Sequence, residues 1–199
     1  YQGPPHPHTP YSMILHDYHM HSNFSCDCQA TMAEMCRGAI AKGISEIGFT
    51  EHYDLHPNEG CRDWFKLDEW AAELEKCRAE FDGRLTIRAG IEIGEPHIFR
   101  AETRAMLNRY PFDYVLGSLH WVGVETIFDP DYFRRRTQDE AFTAYFVELE
   151  CLTRIGEFDI LSHFDVFIRA WGEMGGRYVP LARRGPRPPL PCLRPAAGV

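Results

Sequence analysis

Between residues 13 and 167 the chain alternates strand-like with helix-like segments, and this alternation restricts its fold more than any other feature of the sequence. Strands separated by helices form βαβ units, whose strands lie parallel in one sheet or barrel. The sequence therefore predicts an α/β fold. Its predicted strands span residues 13–21, 44–52, 85–94, 112–121 and 158–167, and its predicted helices span residues 31–43, 67–81, 96–110 and 138–157.

The two ends of the chain depart from this pattern. Residues 1–12 are rich in Pro and His, which predicts a disordered tail. Residues 177–199 are dominated by Pro and Arg and lack periodicity, which predicts a second, non-globular tail. Residues 13–176 remain as one predicted domain, which is long enough to bury a substantial core.

Composition excludes several kinds of partner. The 199 residues carry a net charge of -8, so the chain is a poor electrostatic partner for nucleic acid or for an anionic membrane. No apolar run approaches the roughly 20 residues needed to span a bilayer. Seven cysteines without paired spacing favour reduced thiols and a cytoplasmic location. Cys26 and Cys28 could form half of a metal site, but no second pair accompanies them.

Each predicted strand ends in a side chain that can bind a metal ion. The carboxyl ends of parallel strands meet at one edge of a sheet, so these side chains should converge. His19 and His21 are two residues apart on a strand and point to the same side, so they can bind one ion together. The candidate ligands are His19, His21, Asp27, His52, Glu92, His120 and His163.

This donor set predicts two or three adjacent divalent ions. Imidazole and carboxylate ligands suit Zn, Mn or Fe better than Ca or Mg, and the set exceeds what one tetrahedral ion needs. A single histidine is more often a hydrogen-bonded core or surface residue, but five at successive strand ends favour a metal centre. Glu51 and Glu95 are weaker candidates, expected on a solvated rim. Asp165 is expected either to orient His163 or to form a salt bridge.

Five segments of the chain resemble, in order and spacing, the motifs of the PHP (polymerase and histidinol phosphatase) domain family, especially its histidinol-phosphatase branch. They are "DYHMHSNFSCD", "KGISEIGFTEH", "GIEIGE", "FDYVLGSLHW" and "GEFDILSHFDV", within about residues 13–175. The resemblance implies a distorted (β/α)7 barrel with a trinuclear metal centre that hydrolyses phosphoesters. It also implies that His19 and His21 bind one ion and that Glu92 bridges towards a second ion. The resemblance further implies that His120 and His163 bind this second ion, and that Asp27 and His52 bind the third.

One family motif has no counterpart here. The family's late Asp-x-His motif would supply two further ligands, and nothing after His163 matches it, so we expect a barrel that is incomplete at the C-terminus. The resemblance implies a phosphomonoester hydrolase, and specifically a histidinol-phosphatase of histidine biosynthesis that takes the small substrate L-histidinol phosphate. Glu92, His120 and Arg169 would be catalytic, with Arg169 beside the phosphate.

Three alternatives stay open. The chain could be another PHP phosphoesterase, such as a nuclease or a phosphoprotein phosphatase, although its acidic charge argues against the nuclease. It could be a metal-binding remnant without catalysis, or a fragment that does not fold stably. The oligomeric state is left undetermined by the sequence.

Overall fold

The computed structural model describes residues 15–173, and it confirms the alternating α/β order. Both predicted tails, at 1–12 and at 177–199, lie outside the described residues. In chain order the elements are β1 (His16–Met20), α1 (Met32–Ala41), β2 (Glu46–Tyr53), α2 (Leu67–Glu80), β3 (Thr86–Gly94), α3 (Arg100–Leu107), β4 (Tyr114–Ser118), β5 (Trp121–Val122), β6 (Glu125–Thr126), α4 (Pro130–Arg134), α5 (Gln138–Ile155), β7 (Ile160–Leu161) and α6 (Phe167–Glu173).

Five of the strands form one parallel sheet in the order β1-β2-β3-β4-β7. The pairing is longest in the middle, where β2 and β3 stay in register from Glu46 opposite Thr86 to Tyr53 opposite Ile93. At the far edge, β7 contributes only two residues, Ile160 and Leu161, which pair with β4. Within residues 15–173 the sheet curls without closing, so it is the expected barrel in incomplete form.

The region after β4 differs from the prediction. The predicted strand over 158–167 is reduced to β7. The last residue of the predicted strand, Phe167, is already the first residue of α6. A hairpin of β5 and β6 begins at Trp121, the last residue of the predicted strand over 112–121, and the rest of it and the short helix α4 lie where the alternation predicts no element. Local signals explain both features. Gly123 takes a left-handed φ of 66° at the hairpin turn, and the Asp129 side chain accepts from the Asp131 amide at the start of α4.

Two apolar clusters hold these elements together. The first packs α1 and α2 against β2 and β3, with Trp70 and Phe49 fully buried. The second lies among α4, α5 and α6 and is centred on Phe142 and Phe167, whose ring centroids are 4.7 Å apart. Phe158 contacts both clusters, so they support the sheet as one body. No helix in the described part of the chain is long and apolar enough to cross a membrane.

Candidate metal centre

Glu92 is the residue around which the candidate ligands collect. It lies on β3 with its side chain fully buried, and imidazole nitrogens from several other strand ends surround its carboxylate. Oε2 lies 3.0 Å from His21 Nε2 and 3.2 Å from His19 Nε2. Oε1 lies 3.0 Å from His163 Nε2 and 3.4 Å from His120 Nε2. The parallel sheet thus brings the predicted histidines onto one carboxylate.

Asp27 and His52 extend this cluster towards the loop that follows β1. Asp27 Oδ1 lies 3.1 Å from His21 Nδ1, and Asp27 Oδ2 lies 3.5 Å from His52 Nε2. The other ring nitrogen of His52, Nδ1, lies 3.3 Å from Glu92 Oε2. All seven candidate ligands are therefore joined in one continuous cluster.

The donor atoms divide into three groups, in each of which they lie within 4.8 Å of one another. This division differs from the one implied by the family resemblance, which put His19 with His21 and His120 with His163. The implied pairs are nevertheless equally close in the structure. The ring centroid of His19 lies 5.3 Å from that of His21 and from that of His163, and the centroids of His120 and His163 are 5.5 Å apart. The groups are His19 with Glu92 and His163, His21 with Asp27 and His52, and His52 with Glu92 and His120.

The spacing of the donors fits bound cations. Two donors at 2.0–2.1 Å from a tetrahedral ion lie roughly 3.3 Å apart, close to the 3.0–3.4 Å that separates Glu92 from its five imidazole neighbours. Two buried ring nitrogens, His52 Nδ1 and His120 Nε2, also lack a hydrogen-bond partner of good geometry. Buried polar atoms of this kind need a partner, and a metal ion at these positions would supply one.

Electrostatics in the cluster favour positive charge. Burial opposes ionisation of Glu92, but contacts with His120, His163 and other imidazoles outweigh it and hold its pKa well below the usual range. Burial likewise opposes the charged form of His52, but Asp27 and Asp54 raise its pKa to about 10. The centre thus holds ionised carboxylates that attract cations, whether protons or metal ions.

Glu51 and Glu95 are fully buried, so the expectation of a solvated rim is wrong for both. Glu51 accepts hydrogen bonds from the Ser22 amide, the Ser22 hydroxyl and the Ser25 hydroxyl, which fixes the loop that carries Asp27. Glu95 accepts from the His120 amide at 2.6 Å, and burial raises its pKa to about 8. Glu51 thus positions the loop that carries Asp27, and Glu95 positions the backbone at His120.

Cys26 and Cys61 form a disulfide, which contradicts the expectation of unpaired cysteines and excludes Cys26 from a metal site with Cys28. Their separation of 35 residues gives no local signal, because only the fold brings the two loops together. The bond joins the loop that carries Asp27 to the loop after β2. Both cysteines line the cavity that contains the histidines.

That cavity has a volume of about 630 Å³ and opens to solvent. Arg169 at its wall has no ion-pair partner among residues 15–173, so its guanidinium is available to an anion. Asp165 is exposed, and among residues 15–173 its side chain forms no hydrogen bond or ion pair with His163. The cavity is lined by His19, His21, Cys26, Asp27, His52, Asp54, Glu59, Cys61, His120, Phe128, His163, Val166 and Arg169.

Comparison with known proteins identifies the family. The sequence model of the PHP domain family matches residues 17–182, which is most of the chain. The chain belongs to the PHP domain family. This PHP domain is 32% identical over 149 residues to a protein named "Histidinol-phosphatase" of Lactococcus lactis, with 74% of the chain and 54% of that relative covered. It is 28% identical over 159 residues to a "Probable histidinol-phosphatase" of Deinococcus radiodurans, with coverage of 76% and 61%.

A solved structure resembles the PHP domain in fold. The crystal structure of a histidinol phosphate phosphatase from Lactococcus lactis, complexed with zinc, L-histidinol and phosphate, superposes with a TM-score of 0.72 at 31% identity. The match covers 77% of this chain and 59% of that one. The chain thus spans little more than half the length of the curated relatives that it matches.

Asp54 contacts the candidate ligands of this PHP domain, although the sequence analysis did not predict it as a site residue. Its two oxygens lie 3.1 Å from His120 Nδ1 and 3.2 Å from His52 Nδ1, so one carboxylate forms a hydrogen bond with His120 and lies within ion-pair distance of His52. Gly94 leaves space for it, since a Cβ there would overlap the Asp54 carboxylate. The position two residues after His52 is the only sequence signal, and it is weak because β2 has already ended at Tyr53.

Proposed function

We propose that this PHP domain is a metal-dependent phosphomonoester hydrolase that converts L-histidinol phosphate and water to L-histidinol and phosphate. The observation that carries the proposal is the set of five imidazoles and two carboxylates joined through Glu92 in an open cavity that also holds Arg169. The names of the relatives support histidinol phosphate as the substrate and histidine biosynthesis as the role.

The proposed ligands are the seven predicted residues, holding two or three divalent ions of Zn, Mn or Fe. Zinc is supported by its presence in the Lactococcus lactis structure, and imidazole with carboxylate suits all three metals. Such ions, when bound, polarise phosphate oxygens and bring the pKa of bound water towards neutrality. The ligands are His19, His21, Asp27, His52, Glu92, His120 and His163.

Three side chains of the domain are proposed as catalytic. Glu92 stays ionised in the interior and binds the positive charge of the centre on both of its oxygens. His120 is held between Asp54 and Glu92, which fixes its ring against rotation. Arg169 donates to phosphate oxygens, so that it orients the substrate and offsets charge that develops on the transferred group.

The net charge of -8 supports a small substrate over nucleic acid, because an acidic chain is a poor electrostatic partner for a polyanion. A cytoplasmic location is proposed from the biosynthetic role. Disulfides in that compartment are usually transient or redox-sensing, so the Cys26–Cys61 bond would then respond to the local redox state.

Metal content and phosphate release test the proposal together. Purified protein loaded with Zn or Mn should retain two or three ions per chain by mass spectrometry and release phosphate from L-histidinol phosphate. His19→Ala and His120→Ala should each lower both quantities. His16→Ala is the matched control, because His16 lies on the same strand as His19 but stacks on Tyr18 outside the cluster.

The two readouts separate the alternatives. Stoichiometric metal without phosphate release would favour a metal-binding domain without catalysis. Absence of stoichiometric metal from a cooperatively folded protein would refute the catalytic proposal.

A further inference from the structure

The cavity is lined by two carboxylates that none of the three metal groups uses, and one of them, Asp54, pairs with His120 and His52. Glu59 lies on the loop after β2 and lines the same cavity as the candidate ligands and Arg169. No Lys or Arg of residues 15–173 forms an ion pair with it. A negative charge without a cationic partner at a substrate cavity is available to a positively charged group of a ligand.

The carboxylate of Glu59 is fixed in place. Its Oε2 accepts from Trp121 Nε1 at 3.1 Å, and its Oε1 accepts from the Cys61 amide at 3.2 Å. Trp121 is itself stacked on His56 with ring centroids 4.0 Å apart, and His56 Nε2 lies 3.0 Å from the Gly123 carbonyl. Each oxygen retains a free lone pair, because a carboxylate oxygen accepts more than one hydrogen bond.

The rest of the cavity shows what kind of ligand would use this charge. Arg169 and the metal centre attract an anion such as phosphate, whereas Glu59 attracts a cation. Phe128 lines the cavity with a partly exposed ring, which offers a flat apolar surface. A molecule that carries a phosphate, a ring and a positive charge matches all three features.

We propose that Glu59 is a specificity-determining residue that binds the primary ammonium group of the substrate's alcohol portion. The inference rests on the proposed function, and it extends it by restricting the substrates to phosphomonoesters of cationic amino alcohols. A charge-assisted hydrogen bond to an ordered carboxylate gives discrimination, because a neutral analogue leaves that carboxylate unpaired.

Ligand binding to Glu59→Gln tests the inference without relying on turnover. Calorimetric titrations at pH 8 would compare L-histidinol, whose amine is mostly charged, with N-acetyl-L-histidinol, which lacks that charge. The metal-loaded parent should bind L-histidinol more tightly. In Glu59→Gln the affinity for L-histidinol should fall roughly 10- to 100-fold, while that for the acetylated compound changes less than about twofold.

Asp63→Asn is the matched control. Asp63 lies on the same loop, does not line the cavity, and has a left-handed φ of 67° that Asn tolerates. The substitution removes the same charge, so it reproduces any effect of net charge alone. It should leave both affinities unchanged.

Inorganic phosphate and metal content report on a merely structural role. Gln keeps one acceptor for Trp121 or for the Cys61 amide, but not both, so the loop could loosen. If Glu59→Gln loses metal, phosphate affinity and both alcohol ligands together, Glu59 is structural and the inference is overturned. It is equally overturned if the parent binds the two alcohols alike or binds neither.

The inference and the proposed function fail in different ways. Release of phosphate from L-histidinol phosphate with an unchanged KM in Glu59→Gln would overturn the inference alone. Discrimination between the two alcohols without any phosphate release by the parent would overturn the proposed function and leave the role of Glu59 in binding intact.

Discussion

The metal centre has two sides that are built by different means. The inner side consists of Glu92, His120 and Ser118, whose side chains lie on or directly after β3 and β4 and are nearly inaccessible to solvent. The outer side consists of His19, His21 and Asp27, whose side chains are 33%, 16% and 54% exposed. His52 and Asp54 lie between the two sides. His52 contacts Asp27 of the outer side and Glu92 of the inner side, whereas Asp54 contacts His120 of the inner side.

The difference shows which forces place each side. On the inner side the pairing of β3 with β4 sets the positions, and Ser118 Oγ donates to Glu92 at 2.5 Å. On the outer side β1 ends at Met20, so Asp27 depends on a loop that Glu51 and a disulfide hold. The inner side should therefore be rigid without metal, and the outer side should depend on its cross-links.

Removal of the negative charge of Glu92, which several imidazoles share, is expected to have the largest effect on stability and on metal content. Glu92→Gln leaves several imidazoles around a neutral amide, and loss of one partner of a buried ion pair costs about 3–5 kcal/mol. We expect the free energy of unfolding to fall by that amount in urea and metal content to fall on both sides of the centre. Glu46→Gln is the control, since Glu46 pairs with Arg88 at the surface. Unchanged metal content in Glu92→Gln would show that Glu92 is not a ligand shared by the two sides.

Loss of the disulfide should weaken mainly the outer side. Opening a link that spans 35 residues lowers stability by about 3–4 kcal/mol. Cys61→Ser should therefore lower the unfolding midpoint and reduce metal content by the ion nearest Asp27, while a thiol reductant should have the same effect on the parent. Cys28→Ser changes a free thiol of the same loop and should have no such effect. Equal loss of every ion would show that the two sides are not independent.

Asp54 contacts His120 of the inner side and also His52, which in turn contacts Asp27 of the outer side, so its replacement should have an intermediate effect on both. Asp54→Asn keeps the shape but removes the charge that orients His52 and His120, and such changes weaken metal binding roughly 10- to 100-fold. Titration with a competing chelator would measure the loss. Asp113→Asn is a suitable control, because Asp113 accepts from the Ala89 amide before β4 begins, away from the ligands. An unchanged affinity in Asp54→Asn would assign Asp54 to packing alone.

The candidate ligands of both sides were predictable from the sequence, whereas several residues that support them were not. Strand periodicity located His52, Glu92 and His120, because parallel strands bring their carboxyl ends together whatever the loops do. The disulfide, the buried state of Glu51 and the role of Asp54 were missed, since each depends on the distance between loops far apart in the chain. The hairpin at Trp121 was missed as well, because strands of two residues carry no periodicity.

The smallest expected effect concerns a contact that joins the two sides beneath the ligands. Tyr114 on β4 donates its hydroxyl to the Tyr18 carbonyl on β1 at 2.8 Å, across two intervening strands, and its ring fills the space that Gly48 and Gly90 leave open. Tyr114→Phe removes only the hydroxyl, so it should lower the free energy of unfolding by about 0.5–1.5 kcal/mol and leave metal content unchanged.

Tyr18→Phe is the matched comparison, because the Tyr18 hydroxyl donates to Glu46 at the surface and its loss should cost less. If Tyr114→Phe instead released metal while Tyr18→Phe did not, then the position of β1, and with it His19 and His21, would depend on this one bond. In that case two contacts would fix the outer side: the hydrogen bond from Tyr114 on β4 to β1, and the disulfide in the loop that carries Asp27.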